Sequence, residues 1–141
     1  MEHPVLAIDH GEARIGLAAT DALGIAAHPV ETITVDRTDP VQRIAALVAE
    51  RGVRRLLVGL PLRMDGSEGR SADKVRAFAA QLSEVLPGIP LEFADERLST
   101  AAAAEKLQGA GKSARQQKPL IDQAAALEIL NDWLQEQGDW S

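Results

Sequence analysis

Asp9 closes a short apolar run, Val5-Leu6-Ala7-Ile8, and is followed at once by His10-Gly11-Glu12-Ala13-Arg14-Ile15-Gly16. A carboxylate at the end of a buried strand stands where open α/β sheets place their sites. Acids recur in comparable settings at Asp95-Glu96, after Leu91-Glu92-Phe93-Ala94, and at Asp122, at the start of the last helical pattern. Three separated segments can thus bring oxygen ligands to one spot, which is what holding divalent metal ions requires. Each acid alone has an ordinary structural explanation. A strand-end Asp caps or turns the chain, an acid in the first helical turn complements the helix dipole, and Arg97 could pair with either member of Asp95-Glu96. Their company raises them. The Asp-x-Gly-x-x-x-x-Gly spacing of Asp9, Gly11 and Gly16 puts a tight glycine turn directly after the acid, and glycine lets backbone approach a phosphate without a Cβ in the way. A helix N-terminus also favours the ionised form of Asp122, which a metal ligand needs.

The cations are unevenly placed. Between Lys106 and Lys118 there are four (Lys106, Lys112, Arg115, Lys118) and no acid, so a loop over Gly109–Lys118 either touches phosphates or is simply solvated. The formal net charge of −6 argues against a protein that coats nucleic acid by bulk electrostatics. It leaves a nuclease open, because metal ions neutralise carboxylates locally. With two Phe, two Trp and no Tyr, base-stacking platforms are not expected. The absence of Cys excludes disulfide scaffolds and thiolate metal sites. His3, His10 and His28 lack metal-ligand spacing. His10 could assist proton transfer beside Asp9, or be an ordinary turn residue. Gly111-Lys112-Ser113 resembles the end of a P-loop, but Lys106 stands where that motif needs Gly, and the motif is rejected. With no membrane-length apolar stretch and no signal-peptide pattern, a cytoplasmic protein is expected.

The elements that must position these residues follow from periodicity. A chain of 141 residues suits one domain over 1–141, with 138–141 frayed. Val5–Asp9, Ile15–Ala19 and Ile25–Ile33 read as an antiparallel meander, with Pro29 making the third strand an edge. Asp39 and Pro40 open a helix as N-cap and first residue. Its stripe is Val41, Ile44, Ala45 and Val48, and Gly52 ends it. Leu56–Leu60 is a second buried strand, parallel to the first through a crossover. Arg63–Arg70 reads as a mobile loop. Val75, Phe78, Ala79 and Leu82 mark the next helix, and Leu91–Ala94 the last strand. Ser99 or Thr100 caps an Ala-rich helix ending near Gly109. Pro119 opens the final helix, with Leu120, Ala124, Leu127, Leu130 and Leu134 on one face. The result is an α/β fold, a five-stranded mixed sheet of order 3-2-1-4-5 with helices on both faces, the ribonuclease H-like arrangement.

That order favours Glu96 over Asp95 as the ligand. Adjacent strand residues face opposite sides, so one of the two enters the site. The fifth strand is two places from the first, so its acid must reach across about 9–10 Å of sheet. The longer Glu96 suits that gap, leaving Asp95 as a supporting or capping residue.

The chain is similar to the YqgF family, also called RuvX, of pre-16S ribosomal RNA nucleases. Four blocks carry the resemblance in order over nearly the whole chain: Leu6–Gly11 with Arg14-Ile15-Gly16; Val58–Leu62 with Met64-Asp65-Gly66; Asp95–Thr100; and Lys118 with Asp122, Ala124 and Ala125. His10 is a departure, standing where Phe, Tyr or Val is more usual. The resemblance implies a ribonuclease H-like fold related to the resolvase RuvC and a cytoplasmic bacterial nuclease that matures the 5′ end of pre-16S rRNA. It carries the catalytic acids over to Asp9, Glu96 and Asp122.

The expected chemistry is phosphodiester hydrolysis with Mg²⁺ or Mn²⁺. Asp9 would bridge two ions, with Glu96 and Asp122 each holding one. Arg14, Ser67, Arg70, Arg97, Lys112, Arg115 and Lys118 are candidate phosphate contacts on structured RNA or branched DNA, and ribosomal assembly intermediates are candidate partners. The rivals are a Holliday junction resolvase-like DNase, a non-catalytic pre-rRNA-binding assembly factor, and an actin-type ATPase. The last needs two such domains, and this chain has room for one.

Overall fold

Apolar alternation in the first third folds as a meander: β1 (Val5–His10), β2 (Arg14–Thr20) and β3 (Ala27–Thr34), each antiparallel to the next. β4 (Arg55–Leu60) pairs parallel with β1, and β5 (Leu91–Asp95) parallel with β4. The sheet order is β3-β2-β1-β4-β5, as expected. In this computed structural model the described residues are 3–95 and 114–137, without the side chains of 114–122. Pro29 does lie in the edge strand, opposite Ala18, where the β2–β3 register shifts. A proline costs nothing there because its side of the strand needs no ladder donor.

Helices α1 (Pro40–Arg51) and α2 (Arg70–Val85) cover one face, over Leu6, Ile8, Leu56 and Val58. Helix α3 (Ala114–Gln137) covers the other, over Val5, Ala7, Ala18 and Leu57. β1 and β4 are buried on both faces, which is why their sequences are continuous apolar runs rather than alternating ones.

The ends of α1 follow local chemistry. The Asp39 carboxylate accepts from the amides of Val41 (3.1 Å) and Gln42 (3.3 Å), and Gly52 takes the left-handed conformation at φ 66°. Ile44 and Val48 are buried as expected. Leu47 joins them, while Val41 and Ala45 are half-buried. Asp39→Ala is expected to cost about 1 kcal/mol, read from the urea midpoint at unchanged slope. In α2, Val75, Phe78, Ala79 and Leu82 are all buried, with Ala72.

Two expectations need correction. The last helix begins at Ala114, so Arg115 and Lys118 belong to α3 rather than to a loop. Ala, Arg, Gln and Lys are strong helix formers, and they carry the helix N-terminally past Pro119 at the loss of the hydrogen bond its ring nitrogen cannot donate. The apolar face is also rotated. Ala125, Ala126, Ile129, Leu130 and Trp133 are buried, while Ala124, Leu127 and Leu134 are half-buried. Positions 126, 129, 130 and 133 form the i, i+3, i+4, i+7 row that meets the sheet. The Ala-rich helix expected from Ser99 or Thr100 to Gly109, and the tail 138–141, lie outside the described residues.

Candidate functional site

Cross-strand register defines a row through Asp9. Gly16 lies opposite it on β2, and Thr32 lies opposite Gly16 on β3. On the other side Ile8 pairs with Val58, which sets Gly59 beside Asp9, and Gly59 pairs with Ala94 on β5. Alternation places Asp9 on the face of Val5 and Ala7, under α3. Its immediate neighbours in the row are therefore two glycines, with Ala94 beyond. The carboxylate thus stands in a row of small residues on the face that α3 covers. Gly16 was readable in advance from its spacing to Asp9. Gly59 shows its role only once β1 and β4 are set in register.

The third turn of α3 is fastened to the same row, and because the helix begins at Ala114 this is also where Asp122 falls, not in the first turn as expected. Gln123 Nε2 donates to Thr32 Oγ1 at 2.9 Å. The backbone of Asp122 precedes Gln123, one turn before Ala126 on the row of positions that meets the sheet. Two of the three expected acids are thus on elements joined at one level of the sheet. The third, Glu96, follows the end of β5 and lies outside the described residues, as do Arg97 and Lys112.

Asp95 goes elsewhere. Along β5, Leu91 and Phe93 pack against the α1/α2 core while Ala94 packs toward α3. The exposed Asp95 continues the Leu91–Phe93 series, so Asp9 and Asp95 stand on opposite faces of the sheet. Among the described residues, no three His, Asp or Glu side chains converge as a metal cluster. Asp9 is the member of the acid trio whose side chain is described.

The turn after Asp9 is tight. The Gly11 amide donates to the Arg14 carbonyl at 2.9 Å, and a Cβ at Gly11 would come within 2.5 Å of that same oxygen. Backbone on both sides must shift to admit it. Gly11→Ala is therefore expected to destabilise by about 1–3 kcal/mol and to move the amide resonances of Asp9 and Arg14. Unchanged resonances at wild-type stability would refute this close approach.

His10 is the last residue of β1, not a turn residue, and it faces away from Asp9, its ring 4.6 Å from that of Phe78. Burial is the main cause that holds its pKa below the usual histidine value of 6.5. The unfolded chain therefore takes up its proton first. The stability this residue contributes is present above the unfolded pKa and is lost as pH falls through the folded one. His10, Gly11 and Glu12 line a cavity of about 210 Å³ with Pro61, Ser71, Lys74 and Val75. Lys74 Nζ pairs with Glu12, tying the β1–β2 turn to α2. The partners are far apart in sequence, and no local signal announces them.

The remaining candidate phosphate contacts are dispersed around this end of the sheet. Arg14, at the start of β2, lines an open groove of mixed charge, with Arg37 and the acids Glu12 and Asp36. Arg70 is exposed at the first turn of α2. Ser67 is already engaged: its hydroxyl donates to Asp65 Oδ1 at 2.6 Å and its amide to the same oxygen at 2.9 Å. Arg115 and Lys118 lie on α3, and their side chains are outside the described residues. Among the described residues, no helix is long and apolar enough to cross a membrane.

Known proteins resemble this chain in sequence and in fold. The family profile RuvX, described as Holliday junction resolvase, matches residues 3–136. A Cutibacterium acnes protein named "Putative pre-16S rRNA nuclease" is 48% identical over 132 residues, covering 93% of this chain and 81% of its own. One of the same name from Rhodococcus erythropolis is 43% identical over 136 residues, covering 93% and 77%. Among solved structures, Thermus thermophilus RuvC in complex with a Holliday junction substrate superposes with a TM-score of 0.59 at 18% identity, covering 96% of this chain and 97% of that one. At that identity the likeness speaks to the fold, which is the RuvC-like, ribonuclease H-like sheet described above. With a profile match running from β1 almost to the end of α3, this chain belongs to the RuvX family.

Proposed function

We propose that this chain is a metal-dependent nuclease that processes the 5′ end of pre-16S rRNA in the cytoplasm during ribosome biogenesis. The observation that carries the reading is the row of small residues beside Asp9, made by Gly16 and Gly59, with the helix bearing Asp122 pinned to the same row through Gln123 and Thr32. The name shared by relatives at 43–48% identity supports the substrate. Asp9, Glu96 and Asp122 are the proposed ligands of Mg²⁺ or Mn²⁺, and all-carboxylate donors suit these hard cations. When bound, such ions supply a nucleophilic water and stabilise the leaving oxygen. The opposed faces of Asp9 and Asp95 support Glu96 as the ligand taken from the end of β5.

The protein's own part is to fix three carboxylates on separate rigid elements and to bring the phosphodiester to them. Asp9 is held by a central strand whose neighbours on both sides are paired. Arg14, Arg70, Arg97, Lys112, Arg115 and Lys118 are the proposed backbone contacts, with Ser67 acting through its turn. These cations form the local counterweight to the net charge of −6.

A second reading, resolution of branched DNA, is favoured by the description attached to the family profile and by the DNA-bound neighbour. One assay separates the readings. Purified protein is incubated with pre-16S 5′-leader RNA and with four-way DNA junctions, each in Mg²⁺, Mn²⁺ or EDTA. The proposal expects RNA cleavage that EDTA abolishes. Cleavage confined to junctions would transfer the chain to the second reading. Tight RNA binding with no cleavage in either metal would make it an assembly factor.

A further inference from the structure

The segment between β4 and α2 was expected to be a mobile loop, yet it is a built hairpin. Leu62 bridges Glu68 in antiparallel fashion, the Arg63 amide donates to the Ser67 carbonyl at 2.8 Å, and the Gly66 amide donates to the Arg63 carbonyl at 2.8 Å. Gly66 takes φ 88°, and Asp65 holds Ser67 through both its amide and its hydroxyl. This small hairpin is clasped from outside. Glu68 and Arg76 form a two-pronged pair, Nε to Oε1 and Nη2 to Oε2, each 2.6 Å. The Arg76 guanidinium in turn lies over the Phe93 ring, 4.9 Å from its centre. One arginine therefore joins the hairpin, α2 and β5.

The hairpin stands beside the site. It follows the end of β4, which runs parallel to β1 and ends next to Asp9 and His10 at the same end of the sheet. Its tip is exposed at Arg63 and Met64. Arg63 lays its guanidinium back over Gly69, where an added Cβ would come within 2.9 Å of it. A surface turn that served only to connect β4 to α2 would need none of these fastenings. A loop that must present a cation at a set position gains from being ordered before it binds, because less freedom is then lost on association.

We propose that the Leu62–Glu68 hairpin is a preformed nucleic-acid contact presenting Arg63 at the end of the sheet that carries Asp9, and that Glu68 and Arg76 are its positioning residues. The inference rests on the nuclease reading above and extends it to residues that touch neither substrate nor metal. It also makes a prediction opposite in sign to simple electrostatics. Removing an acid from a protein of net charge −6 should strengthen binding to a polyanion. Removing Glu68 should instead weaken it, because the hairpin loses its clasp.

The test compares wild type, Glu68→Gln and Arg76→Lys on pre-16S 5′-leader RNA, with KM and kcat measured separately. Hydrogen exchange of the Arg63 amide is followed in the free proteins. Glu68→Gln is expected to raise KM about fivefold, the equilibrium equivalent of roughly 1 kcal/mol, with kcat changed much less. Arg76→Lys keeps the charge but not the two-pronged geometry and should shift KM the same way. In both variants the Arg63 amide should exchange faster while the melting temperature barely moves. Unchanged or tighter binding by Glu68→Gln, with the wild type active, would overturn the clasp and leave the nuclease reading standing. A wild type that neither binds nor cleaves RNA would remove both. A fall in KM affinity accompanied by general unfolding in Glu68→Gln but not in Arg76→Lys leaves the decision to Arg76→Lys, whose unchanged KM would also overturn it.

Discussion

Asn in place of Asp9 is expected to remove at least about a hundredfold of the metal-dependent cleavage while leaving the fold intact. The magnitude follows from comparison: losing a residue that merely supports a metal ligand typically costs about 10–100-fold, and a ligand itself should cost no less. The substitution keeps size and shape, so packing beside Gly16 and Gly59 is undisturbed. It removes the negative charge on which hard cations depend. Asp9 is the most central of the three acids, so its loss should be the most severe. Asp122→Asn should be milder if one ion remains bound. The measurement is initial cleavage rate in saturating Mn²⁺ or Mg²⁺, paired with thermal melting of the same preparations. A folded Asp9→Asn protein with full activity would end the metal-nuclease reading.

Much of the frame around Asp9 is written in local chemistry. Continuous apolar runs give β1 and β4, because strands covered on both faces need no alternation. The Asp39-Pro40 opening and the Gly52 stop mark α1 to within a residue. Alternation along β5 implies that Asp95 and Glu96 face opposite ways, but which of them shares the face of Asp9 needs the two cores of the folded sheet. The rest depends on packing across long sequence distances. In α3 nearly every side carries an apolar residue, so its periodicity is weak, and the sheet selects Ile129 and Trp133 over Leu127 and Leu134. Pro119 reads as a first helical residue, yet the strong helix formers before it extend the helix. The 62–68 hairpin was missed because its fastenings are not neighbours in sequence. Glu68 meets Arg76 one helix in, and Arg76 meets Phe93 a strand further on. Such contacts have no signature until the topology is known.

The largest effect on stability is expected at Trp133. Its indole is 4% exposed and fills the space between α3 and the β1–β4–β5 part of the sheet. Its Nε1 donates to Glu92, whose other oxygen accepts from Arg55 Nη1 at 3.0 Å. On the other side the His3 ring meets it edge-on at 6.4 Å, and His3 Nδ1 is hydrogen-bonded to the buried Thr20 hydroxyl at 2.9 Å. Trp133→Ala leaves a cavity that a sheet and a helix cannot close, and should cost about 3–5 kcal/mol. Total stabilities of such proteins run at roughly 5–15 kcal/mol, so the loss is a large share. Trp133→Phe keeps most of the ring and forfeits the bond to Glu92. Because water can reach that carboxylate, the cost should be only about 1 kcal/mol beyond the lost volume. Urea unfolding at constant slope measures both. The helix that Trp133 anchors also carries Asp122, about three turns earlier. Cleavage by Trp133→Ala should therefore fail on warming at the temperature where α3 detaches, and recover on cooling. That recovery separates it from Asp9→Asn, whose defect should persist at every temperature at which the protein is folded. If Trp133→Ala melts like the wild type, α3 is held to the sheet by its smaller residues, and the indole is not the anchor its burial implies.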